Sequence, residues 1–153
     1  MTSQLNHLKY FNKLLLPIIN KIHRLSVPTM EKALKSHDMT LAEFRIVGLL
    51  MGEKLGYNQK QLANRLGISP PSLSVSIQRL ESKNVIQRVN DKDDKRIKRI
   101  RISSHVDFKD IGKLIMDFEG KATIGINERD LEITKRVLNQ IVGNINPSTD
   151  EGG

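Results

Sequence analysis

The run Ser69-Pro70-Pro71-Ser72-Leu73-Ser74-Val75-Ser76-Ile77-Gln78-Arg79-Leu80-Glu81-Ser82-Lys83-Asn84 spaces its apolar residues as a helix does, and the run after it, Val85-Ile86-Gln87-Arg88-Val89, does not. Ser69 is a favoured helix cap, and Pro70 at the first helical position costs nothing because its missing amide would be unpaired there. Leu73, Ile77 and Leu80 fall on one side of a helix from Pro70 to about Lys83, the side that must face a core. Asn84 tolerates the left-handed conformation that a helix stop often needs. The period then changes to two. Val85 to Val89 reads as one strand and Ile97 to Ile102 as its partner, with Ile100 and Ile102 alternating against Arg99 and Arg101. Asn90-Asp91-Lys92-Asp93-Asp94-Lys95-Arg96 is a charged connection between them.

Opposite the core side of this helix lie Pro71, Val75, Gln78 and Ser82, flanked by Ser72, Ser74 and Arg79. A DNA major groove about 12 Å wide admits a helix with so small an outer surface. Ser69 and Ser72 can donate to phosphates near the positive helix end. By chemistry, Arg79 suits guanine, Gln78 suits adenine and Val75 suits a thymine methyl. An ordinary amphipathic helix also has a polar outer face, so the helix alone does not separate the two readings. The hairpin does. It brings Lys92, Lys95 and Arg96 to a projecting tip, with Arg88 and Lys98 on its strands. Such a wing can straddle phosphates and push a cation into the adjacent minor groove. Asp91, Asp93 and Asp94 run against that, since carboxylates repel phosphates. Asp94 can instead accept from Arg96 or Arg88 and hold the shape of the wing.

Working outward, Asn58-Gln59-Lys60-Gln61 opens a short helix that ends at Gly67. Thr40-Leu41-Ala42-Glu43 is a capping box that opens another, through Phe44, Val47, Leu50 and Met51, stopping near Gly52. Before these, Leu5, Leu8, Leu15, Ile18, Ile19 and Ile22 have helical spacing from about Leu5 to Leu25, with a kink or break expected at Pro17. A second piece is expected from about Pro28 to His37. After the hairpin come a helix carrying Phe108, Ile111, Leu114, Ile115 and Phe118 and another, from near Asn127, carrying Leu131, Leu138, Ile141, Val142 and Ile145. The fold class is therefore mainly α with a β-hairpin wing: a winged helix-turn-helix flanked by helices. The divisions are 1–39 (N-terminal helices), 40–103 (DNA-binding module), 104–146 (C-terminal helices) and 147–153 (a disordered tail).

Charge follows the same division. Of the +8 net charge over 153 residues, the segment from Asn58 to His105 holds +7, with eleven basic against four acidic residues. That concentration on a helix pair and a hairpin points to a polyanion partner, double-stranded DNA. The flanking helices are too apolar for the central module to cover. A homodimer is expected, with Leu5, Leu8, Leu15, Ile18 and Ile22 at one end and Leu131, Leu138, Ile141, Val142 and Ile145 at the other. A two-fold pair would set the recognition helices about 34–36 Å apart, on an inverted repeat with half-sites about 10 bp apart.

Other classes are disfavoured. The chain has no Cys, so disulfides, thiolate metal sites and cysteine nucleophiles are absent. No Gly-rich phosphate loop or nucleophile elbow occurs, and no enzymatic activity is expected. His7, His23, His37 and His105 are scattered; a metal site from His37, Glu43 and His105 is conceivable, but separate surface histidines are the simpler reading. No run reaches the ~18 apolar residues of a membrane span, and no signal peptide is read, so a cytoplasmic location is expected. A nucleoid-type protein with little sequence preference is the remaining alternative, because a serine-rich surface can rely on DNA shape.

Leu41-Ala42-Glu43-Phe44-Arg45-Ile46-Val47, Gln61-Leu62-Ala63, Leu66-Gly67-Ile68-Ser69, Ser74 with Arg79-Leu80-Glu81, Ile86-Gln87-Arg88 and Asp94-Lys95-Arg96 together resemble the MarR family of bacterial transcription regulators. The resemblance is close from Thr40 to Ser103 and looser towards both ends, where Gly125-Ile126-Asn127 before an amphipathic helix also fits. It implies a homodimer with interlocked terminal helices, a recognition helix from Pro70, Arg96 as the minor-groove residue of the wing and Asp94 as its support. Three positions depart from the family: Val75 where Arg is common, Asn84 where Gly is usual, and Ser103-Ser104-His105-Val106 in place of Thr and Gly at the wing's exit. Many members release DNA when a small aromatic or phenolic effector binds between the dimer helices and the winged module. The resemblance extends that option to this chain, whose residues single out no pocket and no other cofactor.

Overall fold

The computed structural model describes residues 13–146. Leu5, Leu8, the rest of the first segment before Lys13, and the tail 147–153 lie outside the described residues. Among the described residues, six helices and one hairpin follow in order: α1 (Leu15–Lys35), α2 (Leu41–Met51), α3 (Gln59–Leu66), α4 (Pro70–Ser82), β1 (Ile86–Asn90), β2 (Lys98–Ile102), α5 (Lys109–Ala122) and α6 (Glu128–Ile145). Among the described residues no helix is long and apolar enough to cross a membrane.

The N-terminal reading needs correction. The expected break at Pro17 and the separate piece from Pro28 are absent, because α1 is one helix through both positions. Pro17 is its third residue, where the amide has no intrahelical partner to lose. Pro28 does sit inside the helix. The hydroxyls of Ser26 and Thr29 donate to the carbonyls of His23 and Leu25 around it. Arg24, whose carbonyl loses its partner, is an exposed residue. Leu34, buried in the last turn, anchors the helix end, so packing overrides the local cost of proline.

Local signals set the remaining ends. Thr40 accepts from the Glu43 amide at 3.1 Å and its own amide donates to Glu43 Oε2 at 2.9 Å, a complete capping box. Asn58 and Gln61 form the same reciprocal pair at 2.8 and 2.9 Å. Gly67 ends α3 at φ 63° and Asn84 follows α4 at φ 57°, both left-handed. The strands lie about one residue from their expected starts, pairing antiparallel from Ile86↔Ile102 to Asn90↔Lys98.

The core lies under α4. Leu34, Ile46, Val47, Leu50, Leu62, Leu73, Ile77, Leu80, Ile86 and Ile100 are all buried there. Leu34 and Met39 contribute from before residue 40, so the last turn of α1 packs with the module. Tyr57 forms a single antiparallel bridge with Ile100, accepting from its amide at 2.7 Å. Gly56 permits that approach: it has φ +72°, and a Cβ there would meet the Ile100 carbonyl oxygen at 2.3 Å.

Candidate nucleic-acid interface

Ser69 caps α4, accepting from the Ser72 amide at 3.4 Å and donating to the Ser72 hydroxyl at 2.9 Å. Leu73, Ile77 and Leu80 hold the inner side at zero exposure. Pro71, Ser72, Val75, Gln78 and Arg79 are therefore exposed on the outer side, with Ser74 half-buried at its edge. Val75 is 59% exposed, a large apolar residue turned to solvent on an otherwise polar face. Gln78 makes no side-chain hydrogen bond among the described residues.

Two networks fix this helix against its neighbours. In one, Gln59 at the start of α3 donates to the Ser74 hydroxyl at 2.5 Å and accepts from Arg88 on β1 at 3.4 Å. Arg88 also pairs with Glu81 of α4 at 2.7 Å. Ser74 and Arg88, both read as DNA contacts, are thereby joined through Gln59, which sequence reasoning passed over as a helix start. In the other network the fully buried Glu43 lies 3.1 Å from Arg79 Nε and 3.5 Å from Lys83 Nζ. Lys83 continues to the Asp38 carboxylate at 3.2 Å. Arg79, chosen for guanine recognition, is thus tethered from beneath and remains half-exposed.

The wing is built on carboxylates. Asp94 accepts from Nε and Nη2 of Arg96 at 3.0 and 3.1 Å, a bidentate pair on one edge of the guanidinium, and from the Arg96 amide at 3.0 Å. Of the two partners considered for Asp94, the structure supplies Arg96 and gives Arg88 to Glu81. The Arg96 side chain is still 91% exposed, held in place yet presented to solvent. Its hydrogen bonds lower the Asp94 pKa from the ordinary 3.8.

Asp91, read as contrary to DNA binding, is buried at the root of the wing. It accepts from the amides of Asp93 at 2.9 Å and Asp94 at 3.2 Å and pairs with Arg99. The Arg99 hydrogen bond, then the two amides, lower its pKa to about 2. Arg99 and Arg101 in turn donate to the Gly56 and Leu55 carbonyls at 3.1 and 2.8 Å. The wing is tied in this way to the loop between α2 and α3. Lys98 donates to Asn90 across the strands. Lys92 and Lys95 are exposed without a side-chain partner among the described residues.

Away from this surface, the residues expected to dimerise are uncovered or half-covered. Leu15, Ile18 and Ile22 of α1 are 44–61% exposed, and Val142 and Ile145 of α6 are 61% and 69% exposed. Leu131, Leu138 and Ile141 are half-buried. Leu25, Ile133 and Val137 extend the same apolar faces and were not singled out from the sequence. Among the described residues no group of three His, Asp or Glu side chains is placed to hold a metal ion. A groove of about 240 Å³ lies between α1 and the module, lined by Glu31, Leu41, Ala42, Arg45, Leu66 and Ile68.

Comparison with known proteins agrees with this architecture. A family model described as the MarR family matches residues 37–97. A MarR family transcriptional regulator from Silicibacter pomeroyi is similar in structure, with a TM-score of 0.79 and 19% identity over 87% of this chain and 90% of that one. CouR from Rhodococcus jostii, solved bound to p-coumaroyl-CoA, gives 0.70 and 20% over 81% and 88%. MepR from S. aureus, solved as a DNA complex, gives 0.65 and 21% over 86% and 98%. The MarR family model thus matches the winged helix-turn-helix, and the helices built around it give the chain the overall fold of these regulators.

Proposed function

We propose that the chain binds double-stranded DNA sequence-specifically as a homodimer on a pseudo-palindromic operator, and so regulates transcription, repressing where the operator overlaps a promoter. The observation that carries this reading is the wing. Arg96 is 91% exposed, yet a bidentate carboxylate holds its guanidinium in one orientation. Such an arrangement presents a cation to an outside anion with little ordering cost left to pay. Beside it, α4 offers Ser72, Val75, Gln78 and Arg79 to a major groove, while Lys92, Lys95 and Lys98 meet phosphates. The uncovered apolar faces of α1 and α6 support the dimer.

Selection from a random duplex pool tests the reading. The expected product is an inverted repeat with half-sites about 10 bp apart. Absence of enrichment over input would reject sequence-specific binding and favour a nucleoid-type role.

The groove at α1 suits a small phenolic effector: Arg45 can donate, Glu31 can accept, and Leu41, Leu66 and Ile68 supply an apolar wall. Phenolic acids should raise the unfolding temperature of the native chain and not of its Arg45→Ala variant. Equal shifts in both would place the ligand elsewhere.

A further inference from the structure

We propose that Glu43 is the positioning residue of the recognition helix: a buried carboxylate that acts through Arg79 to set how α4 is presented to DNA. The inference rests on the DNA-binding reading above and adds to it a determinant of specificity that touches no DNA.

Glu43 has zero exposure, and a carboxylate is costly to bury. Its capping duty does not require the charge, because glutamine serves equally at this position of a capping box. What the charge does hold is α4. Oε1 lies 3.1 Å from Arg79 Nε, and Oε2, besides taking the Thr40 amide at 2.9 Å, lies 3.5 Å from Lys83 Nζ. Oε1 has no other partner and is not satisfied by a well-directed hydrogen bond. Arg79 is therefore the group on which half of this buried carboxylate depends. One helix start, the N-terminus of α2, is wired to the second half of α4.

The consequence falls on Arg79. Its side chain is 48% exposed beside Gln78 on the outer face, and its inner nitrogen is the one that Glu43 engages. Arginine recognises bases and phosphates through a planar fork, so restraint at Nε fixes the direction in which the terminal nitrogens meet an outside acceptor. Lys83, drawn to both Glu43 and Asp38, restrains the end of the same helix. Positional restraint of this kind acts on specific complexes, which need one register, and hardly at all on non-specific ones.

The test is Glu43→Gln in the full chain, with fluorescence anisotropy on a duplex enriched by the wild type and on a scrambled duplex. Glutamine keeps the cap and the volume, so the variant should remain folded, checked by thermal unfolding. Affinity for the enriched duplex should fall about tenfold, a change typical of losing a buried charge partner's restraint. Affinity for the scrambled duplex should hold or rise, since a negative charge near a polyanion has been removed. In an Arg79→Met background the same substitution should change enriched-duplex affinity by less than about twofold, because the effect runs through Arg79. An unchanged ratio between the duplexes, or effects that add in the double variant, would overturn the proposal while leaving the DNA-binding reading intact. No enriched duplex for the wild type would overturn both.

Discussion

The winged module and the two C-terminal helices are both amphipathic, yet one closes its own core and the other does not. Every buried apolar side chain among the described residues lies between Leu34 and Ile100. In α5 and α6 none is buried, and Met116, Val142 and Ile145 are 61–72% exposed. A helix face is completed by whatever packs on it, and within one chain α6 lacks that cover. The module is thus a closed unit, while the C-terminal helices keep an uncovered apolar face, the one the proposed homodimer would bury.

The largest expected effect would break this comparison at its weaker side. Charges at Leu138→Glu and Ile145→Glu should yield monomers in sedimentation equilibrium. Operator affinity should drop on the order of 10²-fold or more, because the second half-site no longer gains from linkage. Retained dimers would show that another face pairs the subunits. Next, Gly56→Ala strains the loop that carries the wing root, where the new Cβ would meet the Ile100 carbonyl at 2.3 Å. Unfolding should become easier by about 1–3 kcal/mol, in contrast to near-neutral changes at exposed positions of α6.

Within the module, Asp94→Ala should weaken enriched-duplex binding several-fold, a modest multiple consistent with losing one orienting charge-assisted pair. Tighter binding would mean that the carboxylate only repels phosphate. The Asp91 carboxylate gives a pH test of the wing root. Its folded pKa is depressed from 3.8 to about 2, so its stabilising contribution is present above the unfolded value and fades as pH falls through about 2. Carboxyl NMR should place its midpoint near 2; a midpoint near the ordinary value would deny the Arg99 contact. The smallest effect belongs to Lys92→Ala. It should weaken enriched and scrambled duplexes alike and reduce the salt slope by about one.

Much of the module was legible because its signals are local. Thr40 with Glu43, Asn58 with Gln61, Ser69 before Pro70, and Asn84 after the helix each act within a few residues, and the change of period marks the hairpin. What escaped is non-local. Nothing near Pro28 says that Leu34 will be anchored firmly enough to carry α1 through it. The Tyr57–Ile100 bridge is one residue long and joins distant segments, so no periodicity announces it. Asp91 looked like a charge facing DNA because its partner, Arg99, sits across the hairpin. Glu43 was visible as a cap and Gln59 only as part of a helix start, and it is the packing of α2 and α3 against α4 that shows what else they hold.

The most direct test of the central claim is a salt series of anisotropy titrations, comparing the enriched duplex with its scrambled counterpart. A specific regulator should prefer the enriched duplex by ~10³-fold or more at physiological salt. Equal affinities that fall together steeply as salt rises would contradict the account, leaving backbone electrostatics as the whole of the interaction.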